Sequence, residues 1–260
     1  MMTVGYCCVP RARSPSSATI LKWSVTGNWR MPAPCWPPIT KRRKVFCKRP
    51  GIMLITQSRA ETRAVIFDLG RVLVKVDFTR MLRRFKPAVA LSGDDFSLEK
   101  LTAHPFFRDF AEGRIDGREF WLRLKSHFKA DLTYDDFRDI WCDIFEPMPG
   151  MRDLVERIRR DYPVTLLSDI DPIHWEWLSA AYPWLTSFPD PVLSYEIGHM
   201  KPHRRCYEQA ARAVGQSPEH CLFIDDRPPN IAGACAAGMS GILFTGINPL
   251  EEALPLFLKD

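Results

Sequence analysis

Read for its pattern of apolar and polar positions, the chain becomes regular at Thr62. Ala64-Val65-Ile66-Phe67 is a short apolar run ending in Asp68, the profile of a strand buried on both faces of a parallel sheet. Runs at 164–167, 192–193, 221–224 and 242–244 share that profile. Helix-period segments at 151–160, 174–181, 202–214 and 229–237 lie between them. Strands alternating with helices predict an α/β fold, a parallel sheet with right-handed crossovers and helices on its faces.

One stretch breaks the alternation. About 95 residues separate the first strand from the second, too many for a crossover and too well patterned for a loop. Segments 78–85, 105–111, 118–128 and 134–145 carry apolar faces at helical spacing, with Asp116 and Thr133 as helix starts. A helical insertion of roughly 70 residues accounts for them, which predicts a core of 61–77 and 147–260 around an insert of 78–146.

Residues 1–60 show neither period. They are rich in Pro, Ser, Arg, Trp and Cys and read as a solvated extension, a targeting segment or a mis-assigned start, with translation beginning near Met53. They also distort the overall charge. Of 36 Lys and Arg, eleven lie here with no acid, which leaves residues 61–260 with 25 basic and 31 acidic side chains, a net of −6. The formal +5 of the whole chain therefore gives no ground for a nucleic-acid partner. No apolar run approaches the ~18–20 residues that span a bilayer. Cys142, Cys206, Cys221 and Cys235 form no CxxC pair and read as reduced core residues, as expected of a cytoplasmic protein.

In open α/β sheets ligands gather at the carboxyl ends of the strands. Those ends carry Asp68-Leu69-Gly70, Ser168-Asp169 and Asp225-Asp226, with Lys201 shortly after the third predicted strand of the core. Several carboxylates in one crevice repel one another, and a divalent cation is the natural neutraliser. A carboxylate can attack phosphorus and split a hydrolysis into two steps, while Ser168 and backbone N–H groups can hold phosphoryl oxygens.

Taken together, Val65-Ile66-Phe67-Asp68-Leu69-Gly70-Arg71-Val72-Leu73, Leu166-Leu167-Ser168-Asp169, Lys201-Pro202 and Phe223-Ile224-Asp225-Asp226 with Asn230 resemble the four signature motifs of the haloacid dehalogenase superfamily, in order and spacing, over about residues 62–246. The insert resembles that superfamily's small α-helical cap. Glu112-Gly113-Arg114-Ile115-Asp116-Gly117-Arg118-Glu119-Phe120 is similar to cap sequence of the subgroup that includes bacterial α-glucose-1-phosphate phosphatases. The resemblance implies a Rossmann-like core, a Mg²⁺ cofactor and a small phosphate ester as substrate, sugar phosphates among the candidates. It implies Asp68 as nucleophile and metal ligand, Gly70 as a backbone ligand, and Asp225 and Asp226 as metal partners. It further implies that Lys201 neutralises charge, and Ser168, Asp169 and Lys201 are the residues expected to face the phosphate.

One departure from the superfamily's pattern stands out. Many of its phosphatases carry an acid two residues after the nucleophile, where this chain has Gly70, and side-chain proton transfer is typically worth ~10²–10⁴-fold. His104 and His174 are candidate substitutes, and His174 and Trp175 candidate linings of the substrate entrance. Two other functions compete: a metal-independent 2-haloacid dehalogenase using the same Asp, and a catalytically weak relative that binds a partner through its cap.

Overall fold

The computed structural model describes residues 54–55, 60–89 and 97–259. The expectations for the N-terminal extension fall on residues outside these, except at 54–55 and 60.

The central sheet has six strands in the order β1-β8-β7-β2-β5-β6: β1 (Leu54–Ile55), β8 (Ser240–Leu243), β7 (Cys221–Asp225), β2 (Ala64–Phe67), β5 (Val164–Ser168) and β6 (Val192–Leu193). All neighbours run parallel except β1, which pairs antiparallel with β8 at one edge. The apolar run at β2 forms the centre because each of its residues is buried, with Val65 opposite Val164 on one side and Leu222 on the other. Its alternating side chains feed two cores. Val65 and Phe67 pack with α6 (Met151–Ile158) and the C-terminal α11 (Ile247–Ala253); Ala64 and Ile66 pack with α9 (Arg204–Ala213) and α10 (Pro228–Ala237).

Between β2 and β5 the chain makes a turn at 69–73, then a short strand β3 (Val74–Val76) that pairs antiparallel with β4 (Phe145–Pro147). Among the described residues five α-helices lie between these two strands: α1 (Phe78–Phe85), α2 (Leu98–Ala103), α3 (Pro105–Ala111), α4 (Gly117–Phe128) and α5 (Tyr134–Cys142). Their starts follow from capping. Asp116 accepts the Glu119 N–H at 2.7 Å, and Thr133 forms a reciprocal box with Asp136. Their apolar faces meet in an aromatic cluster, with Phe120 stacked on Phe110 at 4.2 Å and tilted against Trp141 at 5.1 Å.

The structure differs from the sequence reading at several short elements, the pair β3 and β4 among them. The helix expected over 134–145 ends at Cys142, because Phe145 enters the ladder opposite Val76. The helix Leu98–Ala103 was not anticipated; Ser97 caps it and it turns on Leu101, its one buried residue. The strand Leu54–Ile55 lies inside the segment read as an extension. Two or three residues are too few for a period to show. Among the described residues no helix is long and apolar enough to cross a membrane, and the buried Cys142, Cys206, Cys221 and Cys235 form no disulfide.

Candidate active site

Parallel pairing sets the carboxyl ends of β5, β2 and β7 side by side, and each ends in, or is followed at once by, a polar side chain. Asp68 follows β2, its N–H donating to the Ile224 carbonyl at 2.8 Å, so the ladder with β7 fixes its backbone. Ser168 closes β5 and Asp225 closes β7, both buried. Lys201 arrives from the other direction. The short helix α8 (Ser194–Ile197) stops at Gly198, whose φ of 70° is left-handed, and the following loop turns Lys201 inward.

The Lys201 ammonium donates three hydrogen bonds: to Asp68 Oδ1 at 2.6 Å, Asp225 Oδ2 at 2.9 Å and the Leu167 carbonyl at 3.1 Å. All its donors are thus satisfied in a buried place. Asp225 is more heavily engaged still. Asn230 donates to both of its oxygens at 3.1 and 2.9 Å, and the Arg227 N–H to Oδ1 at 2.7 Å. Asn230 is in turn held by the Tyr207 hydroxyl, which donates to its carbonyl at 2.8 Å. Asp226 is freer, with Arg71 as an ion-pair partner at 3.8 Å.

Carboxylate oxygens of Asp68, Asp225 and Asp226 lie within 4.8 Å of one another. The electrostatics show what such crowding costs. Burial, reinforced by Asp225 and Asp226, pushes the Asp68 carboxyl up to about 8 even though Lys201 pulls the other way. Burial also raises Asp226, with Asp225 adding to it, and raises Asp169 against the pull of Lys201. Burial opposes the charge on Lys201, but Asp68, Asp225 and Asp169 outweigh it and hold the ammonium protonated. Four carboxylates face one buried ammonium, with Arg71 and Arg227 also acting on Asp226, which still leaves more negative than positive charge. A donor set of hard oxygens clustered this closely fits Mg²⁺, with Asp68 and Asp226 its least committed members.

Asp169 is turned elsewhere. Its Oδ1 accepts the backbone N–H of Lys201 at 2.8 Å, so its carboxylate braces the loop that carries Lys201. Gly70 sits in the turn after Asp68. There Arg71 takes a left-handed φ of 61° and the Leu69 carbonyl accepts the N–H groups of Leu73 at 2.9 Å and Val74 at 3.0 Å. A Cβ at position 70 would meet only Val76 Cγ2, at 3.5 Å, an ordinary contact.

The remaining candidates are not brought to these strand ends. His104 stacks on Phe106 at 3.9 Å and against His127 at 4.3 Å, inside the packing of the insert. Burial and the neighbouring His127 lower its pKa. His174 has both ring nitrogens engaged, Nε2 with the Trp141 carbonyl at 2.9 Å and Nδ1 with Asp171 Oδ2 at 2.7 Å. Trp175 is half-buried against the core. Sequence reasoning missed Asp171 and Ser194, which tie the loop after Ser168 to the insert. The signal for Asp171 was present, since an Asp just before a Pro at a helix start is a capping pattern.

Several comparisons bear on this geometry. A family model described as haloacid dehalogenase-like hydrolase matches residues 62–238. The chain is 27% identical over 176 residues to D-ribitol-5-phosphate phosphatase of Bacteroides thetaiotaomicron, covering 64% of this chain and 84% of that protein. It is 26% identical over 194 residues to glyceraldehyde 3-phosphate phosphatase of Methanothermobacter thermautotrophicus, covering 70% and 84%. Among solved structures, a predicted HAD-like family hydrolase from Porphyromonas gingivalis matches with a TM-score of 0.67 at 28% identity, over 77% of this chain and all of that one. A HAD family enzyme from Bacteroides thetaiotaomicron, crystallised with magnesium and inorganic phosphate, shares the fold with a TM-score of 0.61 at 24% identity, over 69% and 92%.

Proposed function

Because the chain belongs to the haloacid dehalogenase-like hydrolases, we propose that it is a Mg²⁺-dependent phosphatase that hydrolyses a small phosphate monoester, a sugar or sugar-alcohol phosphate being the favoured class. One observation carries the reading: Asp68 lies buried at the end of β2, held by Lys201, with its carboxylate among those of Asp225 and Asp226. The named relatives that act on ribitol 5-phosphate and glyceraldehyde 3-phosphate support the substrate class.

The chain's own residues divide the work as follows. Asp68, Asp226 and the Gly70 carbonyl would hold the metal, with Asp225 as a further partner; bound there, it would supply positive charge that offsets repulsion between carboxylate and phosphate. One oxygen of Asp68 attacks phosphorus, the bond to the ester oxygen breaks, and the phosphoryl group rests on Asp68. Water then attacks that phosphorus, the acyl-phosphate bond breaks, and phosphate leaves with the Asp68 carboxylate restored. Lys201 keeps the Asp68 oxygen oriented and compensates charge. Ser168 donates to a phosphoryl oxygen. The leaving alkoxide takes its proton from water, since Gly70 offers no side chain. The helical insert acts as the cap that reads the rest of the substrate.

The test is phosphate release from a panel of phosphate esters. Asp68→Asn lowers turnover more than about 10³-fold with the fold intact, and EDTA abolishes activity that Mg²⁺ restores. Undiminished turnover by Asp68→Asn removes this residue from the mechanism. Halide release from 2-haloacids in the presence of EDTA replaces the reading with the dehalogenase.

A further inference from the structure

Two polar ties bind the loop after Ser168 to the helical insert. In the first, the Ile170 N–H donates to Ser194 Oγ at 3.0 Å, and that hydroxyl reaches the Ala111 carbonyl at the end of α3 at 2.7 Å. The second is built around α7 (Pro172–Ala181), the helix that follows β5. Asp171 caps it, with Oδ1 accepting the His174 N–H at 2.9 Å, and Oδ2 meets both His174 Nδ1 at 2.7 Å and the Trp141 indole N–H at 3.2 Å. The far side of the imidazole, Nε2, meets the Trp141 carbonyl at 2.9 Å. The His174 ring lies flat against the Trp141 indole, 5.2 Å between centroids and 3° from parallel.

The chemistry of this cluster is constrained. The Trp141 carbonyl can only accept, so its bond to the imidazole requires a hydrogen on Nε2. Asp171, His174 and Trp141 are all buried, so each group depends on the others for its hydrogen bonds. Asp171 lies three positions after Ser168, and Trp141 stands in the last turn of α5. A displacement of α5 therefore breaks the Nε2 bond and the indole bond together.

We propose that Asp171 and His174 are positioning residues that clamp the Trp141 end of the insert to the loop carrying Ser168, and that this register sets how well the insert reads the part of the substrate beyond its phosphate. The proposal rests on the phosphatase reading for its consequence in turnover, though not for the clamp itself. A substrate with many contacts to the insert feels the clamp; one that presents little beyond its phosphate does not. His174→Gln keeps an amide N–H for the Trp141 carbonyl and His174→Ala keeps none, so the two variants grade the same interaction.

The experiment combines two readouts on the full chain. Hydrogen exchange follows residues 134–142 in wild type, His174→Gln, His174→Ala and Asp171→Asn, with melting checked for each. Steady-state kinetics with Mg²⁺ then compare D-ribitol 5-phosphate with p-nitrophenyl phosphate. Exchange in 134–142 is expected to rise at least tenfold in His174→Ala, with partial recovery in His174→Gln. KM for ribitol phosphate is expected to rise 10- to 100-fold, with kcat within threefold and p-nitrophenyl phosphate little changed. Unchanged exchange in folded His174→Ala overturns the clamp, whatever the enzyme's activity. Equal losses on both esters overturn its role in reading substrate. A wild type inert on both esters defeats the phosphatase reading and the kinetic half of the proposal, while exchange still decides the clamp. Should His174→Ala fail to fold, His174→Gln and Asp171→Asn are held to the same exchange criterion.

Discussion

At the scale of single residues, adjacent carboxylates with similar chemistry have unequal work. Asp225 holds Lys201, Asn230 and the Arg227 N–H, whereas Asp226 has Arg71 at 3.8 Å. Asp225→Asn leaves Lys201 short of a charged partner in a buried place and is expected to cost about 3 kcal/mol of stability. Asp226→Asn is expected to leave melting nearly unchanged while weakening Mg²⁺ binding more than about tenfold. Thermal melts paired with Mg²⁺ titrations of both variants check this, and the reverse assignment sinks it. Gly70 invites a gain instead of a loss, since a side chain there meets only Val76 Cγ2 at 3.5 Å. Gly70→Asp is expected to raise kcat at least tenfold on an alkyl phosphate, whose leaving group needs a proton, and less on p-nitrophenyl phosphate. Equal effects on both esters argue against it. The sequence made Asp68, Lys201, Asp225 and Asp226 legible because each stands at a strand end or in a recognisable motif. It did not reveal that Asp169 turns to the Lys201 backbone or that His174 faces Trp141, because local spacing carries no information about partners 32 and 33 residues away.

At the scale of elements, long amphipathic segments were legible and short ones were not. The helix Phe78–Phe85 falls where its apolar face predicts, and Gly117–Phe128 starts where Asp116 caps it. β3 and β4, three residues each, depend on pairing with one another, which no local pattern announces. The insert is held by aromatic packing more than by its surface ion pairs. Phe120 is fully buried among Phe110, Phe137 and Trp141. Phe120→Ala is expected to cost about 3–5 kcal/mol. Arg84→Ala, which removes exposed pairs to Asp139 and Asp143, is expected to cost less than about 1 kcal/mol. Chemical denaturation of both variants tests the ranking, and equal losses contradict it.

At the scale of the whole molecule, the carboxylate cluster couples folding to pH and to metal. The Asp68 carboxyl moves from an ordinary 3.8 up to about 8 on folding, and Asp169 and Asp226 move in the same direction. Across that window these three carboxyls hold more protons in the folded chain than in the unfolded one, so their contribution to stability falls as pH rises toward 8. In EDTA the melting temperature is therefore expected to be lower at pH 8 than at pH 5 by roughly 5 °C or more. Mg²⁺ should restore more stability at the higher pH, where the carboxylates are ionised. Melts in a grid of pH and metal check the sign, and a rise with pH in EDTA is the contrary result. The parallel α/β core was legible at this scale because its strands and helices alternate over residues 151–237.

The pairing of β3 with β4 has a further consequence. Val76 and Phe145 are ladder partners, so the chain departs for the insert and returns from it through adjacent strands. An excursion whose two ends already touch adds little loop-closure penalty however long it grows, since that penalty rises only with the logarithm of length. The junction is a natural splice point. Helices of other lengths and sequences could be exchanged there while the sheet and its strand-end carboxylates kept their places, which lets the recognition of the substrate diversify independently of the chemistry.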